Sequence, residues 1–131
     1  MNRMIFVNLA ISDLERTKAF YTGLGFTLNP QFSDENTACV VISDTIVVMA
    51  LQRGRFADFV SGPVADPTAG TAVINCLSAS SPAEVDDLVA RALRSGGQPW
   101  LDKVELGGMY GHSFTDPDGH VWEVMHMDLA A

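Results

Sequence analysis

The feature that most constrains this chain is that it runs the same order of elements twice. "MIFVNLAI" (4–11) alternates and is rich in β-formers, which predicts a strand. "SDLE" (12–15) places Ser12 three residues ahead of Glu15, a capping-box pattern that starts a helix. Leu14, Ala19, Phe20, Tyr21 and Leu24 keep near-helical spacing, and "GLGF" (23–26) ends the helix at glycine. "ACVVISD" (38–44) and "TIVVMAL" (45–51) then predict two strands around a tight Ser43–Asp44 turn. The order restarts at the strand "TAVINCLSA" (71–79) and a second capping box, "SPAE" (81–84), with Pro82 suited to the first helical position. Val85, Leu88, Val89, Ala92 and Leu93 form an apolar helical stripe, and "SGG" (95–97) stops it. "SFTD" and "HVWEVMHM" then flank the turn "DPDG" (116–119), a strong hairpin signal.

Each half therefore reads βαβββ. A half is too small to bury its own sheet, so the two are expected to share one core within a single domain, 1–131. The first module spans about 3–52 and the second about 71–127. Between them "RGRFADFVSGPVADPTAG" (53–70) breaks the pattern: Phe56, Phe59 and Val60 suit a short helix or a lid, and Gly62, Pro63, Pro67 and Gly70 mark a linker. Laid over each other, "VNLAIS" matches "INCLSA", setting Asn8 against Asn75, and "SDTIVVMA" matches "DGHVWEVM", setting Val48 against Glu123.

Composition narrows the partners. The formal net charge is −8, so nucleic acid is a poor partner, because phosphate contacts need clustered Lys and Arg. No apolar run reaches the roughly 18 residues of a membrane helix, and the N-terminus lacks the small-residue cleavage pattern of a signal peptide. Cys39 and Cys76 lie in apolar strand-like runs and read as buried thiols of a reduced, cytoplasmic protein. No Gly-rich phosphate loop, CxxC pair or GxSxG elbow is present.

"FVNLAISDLERTKAFYTGLGF" resembles the opening of the vicinal oxygen chelate superfamily, which includes glyoxalase I, bleomycin-resistance proteins and extradiol dioxygenases, and "FTDPDGHVWEV" resembles its closing hairpin. The resemblance covers nearly the whole chain, is weakest over 52–70, and is closest to glyoxalase-related, lactoylglutathione-lyase-like bacterial proteins. It implies an α+β fold in which two βαβββ modules form a curled, mixed-sheet cup with the helices outside. It also implies a homodimer and a small-molecule ligand. Metal-dependent members of that superfamily hold a divalent ion with His, Gln and carboxylate ligands on the inner faces of the first and last strand of each module.

Strand alternation tests that ligand set residue by residue. Phe6, Asn8 and Ala10 are expected to face the cup, with Val7, Leu9 and Ile11 on the helices. The ligand positions fall on Phe6 or Asn8, on Val73 to Asn75, on Val47 or Val48, and on Glu123. Only Glu123 is a good ligand, while a divalent ion needs at least three. The expectation is therefore no metal or other cofactor; a divalent metal, if bound, would use Glu123 and His112. Glu123 is the candidate catalytic residue, as a general base raised by apolar surroundings, against a structural alternative hydrogen-bonded to Asn8, Tyr110 or water. Asn8, Asn75, Tyr110, His112 and Phe6 are the candidate substrate-binding residues, with Met49, Phe56, Trp100 and Met109 as further pocket wall. His126 should lie on the face opposite Glu123, His120 at the hairpin tip, and Trp122 against a helix. Arg53 and Arg55 read as an anion site or as exposed surface. Three functions follow: a glyoxalase-like lyase or isomerase, a metal-free small-ligand binding protein, and an extradiol dioxygenase, which the histidine spacing counts against.

Overall fold

The computed structural model describes residues 2–128. Strand β1 (Ile5–Ile11) leads into helix α1 (Leu14–Gly23), then β2 (Thr27–Leu28), a 3-10 turn at Pro30–Phe32, β3 (Thr37–Val41) and β4 (Ile46–Gln52). A four-residue helix, α2 (Arg53–Phe56), and a 3-10 turn at Ala57–Phe59 follow. The second series is β5 (Ile74–Ser78), α3 (Pro82–Arg94), β6 (Gln98–Pro99), β7 (Val104–Leu106), β8 (Met109–Thr115) and β9 (Val121–Met127). The class is α+β with two mixed sheets, as expected. No helix among the described residues is long and apolar enough to cross a membrane.

The chain divides into two compact units, Met1–Asp66 and Pro67–Ala131. The first holds a sheet of order β1-β4-β3-β2, with β1 parallel to β4 and the other pairs antiparallel. The second holds the order β5-β9-β8-β6, with β7 also on β8 and β5 parallel to β9. The two units thus repeat one topology. The short strands β2, β6 and β7 were not legible as strands, because two or three residues carry no usable alternation.

The helix starts differ from expectation in one case. The α1 cap is Asp13, whose Oδ1 accepts from the Arg16 N–H at 3.1 Å. Ser12 instead accepts from the Arg16 guanidinium at 2.8 Å. The α3 cap is Ser81, as expected, accepting from the Glu84 N–H at 3.1 Å, with Pro82 at the first helical position. Past the helix ends Gly25 and Gly96 stand at φ of +97° and +109°, a region that side-chain-bearing residues avoid.

These caps and glycines align the two modules. Asp13 corresponds to Ser81 and Gly25 to Gly96. Carried into the strands, Asn8 corresponds to Cys76, not Asn75, and its β4 neighbour Met49 corresponds to Glu123. The sequence overlay was out by one residue in each strand, because apolar letters alone cannot distinguish neighbouring registers.

Each sheet has one face against its own helix. In the first unit α1 packs on β3 and β4, and Phe20 and Tyr21 are fully buried with Ile11, Val40 and Val48. The Phe20 and Tyr21 rings meet edge to face at 4.9 Å. In the second unit α3 lies on β8 and β9, burying Val85, Val89 and Ala92 with Phe114, Trp122 and Val124. Each such aliphatic or Phe side chain contributes about 1.5–3 kcal/mol relative to exposure. Leu93, assigned to the apolar stripe, is exposed.

Candidate functional site

The helix-covered face of the second sheet is marked by a contact. Tyr110 on β8 donates its hydroxyl proton to Asp86 Oδ1 on α3 at 2.7 Å. Side chains alternate along a strand, so Tyr110, His112 and Phe114 point toward α3. Cross-strand register extends that face to His126, Val124 and Trp122 on β9, and to Leu77 and Asn75 on β5. Glu123 belongs to the opposite face, open in that α3 does not cover it, although Ser113 and Val121 on it are buried.

On that face Glu123 lies between Cys76 of β5 and Ser113 of β8, both directly opposite it in register. Val121 and Met125 flank it along β9. Glu123 is half-buried and makes no hydrogen bond or ion pair with any described residue. Ser113 is buried, and its hydroxyl oxygen accepts from the Leu101 N–H at 3.0 Å. Cys76 is exposed as a residue, yet partial loss of water around the thiol pushes its pKa up, and the Glu123 charge pushes it further. The arrangement is a carboxylate beside a protonated thiol, with apolar and thioether side chains on either side. It can accept hydrogen bonds or a proton, or pair with a cation.

The expected site residues are not gathered together. Asn75, Tyr110 and His112 lie on the α3 side of the sheet, so none of them joins Glu123. Asn75 was misplaced by the one-residue register error, and Tyr110 and His112 are residues of β8 whose parity turns them to α3. The structural alternative for Glu123 through Tyr110 also fails, since the Tyr110 hydroxyl is spent on Asp86, while Asn8 Nδ2 donates to the Phe6 carbonyl at 3.1 Å. In the first unit, Phe6 and Asn8 share the open face with Val47 and Met49, as expected from alternation, and Phe6 is exposed. His126 lies opposite Glu123 in parity, with its Nδ1 3.0 Å from the Ala79 carbonyl oxygen. Cys76, read as buried, is the neighbour that sequence reasoning missed; the letters carry no signal for it, because the α1 cap that fixes the overlay of the modules is set by the fold.

The donor set does not fit a divalent metal. No group of three or more His, Cys, Asp or Glu side chains among the described residues could hold one. Glu123 and His112, the pair expected to do so, face opposite sides of the sheet. His112 and His126 share the α3 face, and among the described residues no third ligating side chain joins them to form a two-His-one-carboxylate iron triad. The arginines of segment 53–70 are engaged locally. Arg53 donates to the Ala65 and Val64 carbonyls, each at 3.1 Å, and Arg55 pairs with Asp58 at 2.9 Å and covers the Phe59 ring at 4.5 Å.

Residues 3–43 match the family described as bleomycin resistance protein-like N-terminal. The whole chain also superposes on solved structures. A hypothetical protein from S. aureus is 26% identical, with a TM-score of 0.80, covering 96% of this chain and 94% of that one. A glyoxalase-related enzyme from Fulvimarina pelagi is 22% identical, with a TM-score of 0.79, covering 96% and 88%. The chain has the fold of glyoxalase and bleomycin resistance proteins, and its first module matches the bleomycin resistance protein-like N-terminal family. A further similar structure, the bleomycin resistance determinant encoded on the transposon Tn5, is 23% identical with a TM-score of 0.66, covering 98% of this chain and 100% of that one. No curated protein matches the sequence. At these identities the likeness shows the fold, and the chemistry must come from the residues of the site.

Proposed function

We propose that this protein binds a small organic ligand at Glu123, on the open face of its second sheet, without a resident divalent metal. One observation carries the reading: the Glu123 carboxylate, half-buried among Val121, Cys76, Ser113 and Met125, has no protein partner among the described residues. A carboxylate left so among apolar neighbours loses solvation that a bound ligand's donor would restore. The similarity of residues 3–43 to bleomycin resistance protein-like chains supports binding over turnover. Two free cysteines fit a reducing cytoplasm, and a homodimer remains the proposed assembly.

A second reading is a glyoxalase-like isomerase or lyase. It is favoured by the free carboxylate itself, which has the type and placement of a general base moving a proton beside a carbonyl. The enediolate formed in that step needs an electrophile, and the donor set here does not supply a metal to provide one.

The test is a thermal-shift screen of small aromatic and carbonyl compounds on protein purified without chelator, followed by calorimetry of the hits. Binding by the wild type at a divalent-metal content below one tenth of an equivalent, weakened at least tenfold by Glu123→Gln, supports the proposal. Stoichiometric bound divalent metal, or affinity indifferent to Glu123→Gln, rejects it. Turnover of a hemithioacetal that disappears in the same variant would move the assignment to the isomerase.

A further inference from the structure

The open face of the second sheet carries a second chemical feature, one strand-row away from Glu123. In register across the sheet, Leu106, Met109 and Met127 form one row of side chains. The next row is Val104, Gly111, Met125 and Ser78. The row after that holds Ser113, Glu123 and Cys76. Three of the six methionines of the chain thus occupy neighbouring points on one face of one sheet.

Their spacing suits convergence. Met109 and Met127 are directly opposite on antiparallel strands, where Cβ atoms lie roughly 4.5–5.5 Å apart. Met125 precedes Met127 by two residues on β9, a separation of about 6.8 Å along the strand. Its thioether does not point away from the pair. A Cβ built on Gly111 would sit 2.7 Å from Met125 Sδ and 2.6 Å from its Cε. The Met125 sulfur therefore lies across the sheet over Gly111 of β8, the strand that carries Met109. The missing side chain at Gly111 is what admits it.

The patch is also open. Met109 is 37% exposed, Met127 49% and Leu106 73%. An apolar surface alone needs only Leu, Ile or Val, which Val104 and Leu106 already supply alongside. Clustered thioethers add polarisable sulfur donors, which select soft monovalent cations over hard ones and over water. The nearest charge on the same face is the unpartnered Glu123, a favourable sign for a cation, within a chain of net charge −8.

We propose that Met109, Met125 and Met127 form a three-thioether site for a soft monovalent metal ion, Cu(I), on the open face of the second sheet. The site is separate from the ligand role of Glu123 and does not rest on it. Its three sulfurs ligate without any change in protonation, so binding should be nearly independent of pH between neutral and mildly acidic conditions. A thiolate site at Cys76 would weaken steeply over that range.

The experiment uses full-length protein carrying Cys76→Ser, labelled with 13C at the methionine methyl groups, and titrated with Ag(I) as the redox-inert probe. Cu(I) affinity is then measured by competition with a chromophoric chelator. The expected result is that three methyl resonances shift together and saturate at one equivalent, while those of Met4 and Met49 stay in place. Met109→Leu with Met127→Leu should lower Cu(I) affinity at least a hundredfold. Gly111→Ala, which keeps every sulfur but displaces the Met125 thioether, should lower it about tenfold. The proposal is overturned if no methyl resonance saturates, if Met4 and Met49 shift equally, or if the double Leu variant binds as the parent does. Loss of all binding with Cys76→Ser alone overturns it as well. Failure of any of these leaves the Glu123→Gln result untouched, so the two proposals fail separately.

Discussion

Cys76 and Glu123 stand directly opposite each other on the parallel strands β5 and β9, on the face of the sheet that α3 does not cover. Partial burial, and then the Glu123 charge, hold the Cys76 thiol protonated above its ordinary range. Replacing Glu123 with Gln removes the second cause and leaves the first. The pH profile of Cys76 alkylation by iodoacetamide should move to lower pH in Glu123→Gln, with faster labelling at pH 8. An unchanged profile would mean that the carboxylate does not reach the thiol. Cys39, raised by burial alone, should react slowly in both proteins.

The same thiols set a pH dependence of stability. Both are raised in the folded state, so the unfolded chain releases these protons first as pH increases. Their stabilising contribution is complete below the ordinary thiol value and is lost as pH rises through the folded values. Urea midpoints should therefore fall on the alkaline side of the ordinary thiol range. The fall should be shallower in a Cys39→Ala, Cys76→Ala double variant, compared with its own neutral-pH midpoint.

Glu123 and Trp122 are adjacent in sequence and differ in what they do. Trp122 is 2% exposed in the core against α3, and Trp122→Ala should cost about 3–5 kcal/mol, read by denaturant unfolding. Glu123→Gln should change stability by less than about 0.5 kcal/mol, as for a side chain without partners among the described residues, while weakening ligand affinity at least tenfold. A large stability loss in Glu123→Gln would show a structural carboxylate.

Thr17 offers a stabilising substitution. It is a fully buried residue of α1, and its hydroxyl has no hydrogen-bond partner among the described residues. Val keeps the shape and removes the stranded polar group, so Thr17→Val should raise stability by roughly 1 kcal/mol. A lower melting temperature in the variant would contradict this.

Asp116 should behave in the opposite way. It is 1% exposed, and its Oδ1 accepts from the Asp118 and His120 N–H groups at 3.0 and 2.9 Å, closing the β8–β9 turn. Asp116→Ala strands two donors and should cost roughly 1–3 kcal/mol. Amide exchange at Asp118 and His120 should accelerate with it.

Much of this was legible in the letters. The Ser81 cap, the "DPDG" turn, the burial of Trp122 and the opposite facing of His126 and Glu123 all rest on local rules, in which one residue's chemistry or parity decides the outcome. The α1 cap was one residue off because Ser12 and Asp13 are both good caps, and only the fold shows which side chain reaches the Arg16 N–H.

The sequence by itself determined that two βαβββ modules exist, that their helices begin near 13 and 81, and that Glu123 faces away from Trp122. The tertiary structure alone decided who stands beside Glu123. In "INCLS" both parities hold an apolar and a polar residue, so the pattern does not choose which goes inward. The choice falls to the β5–β9 register, which sets Cys76 beside Glu123 and Asn75 beside Trp122. Side chains alternate with a period of two, so a slip of one residue exchanges the faces entirely. That register depends on packing against α3 and on backbone pairing between strands more than forty residues apart, and no local run of letters encodes it.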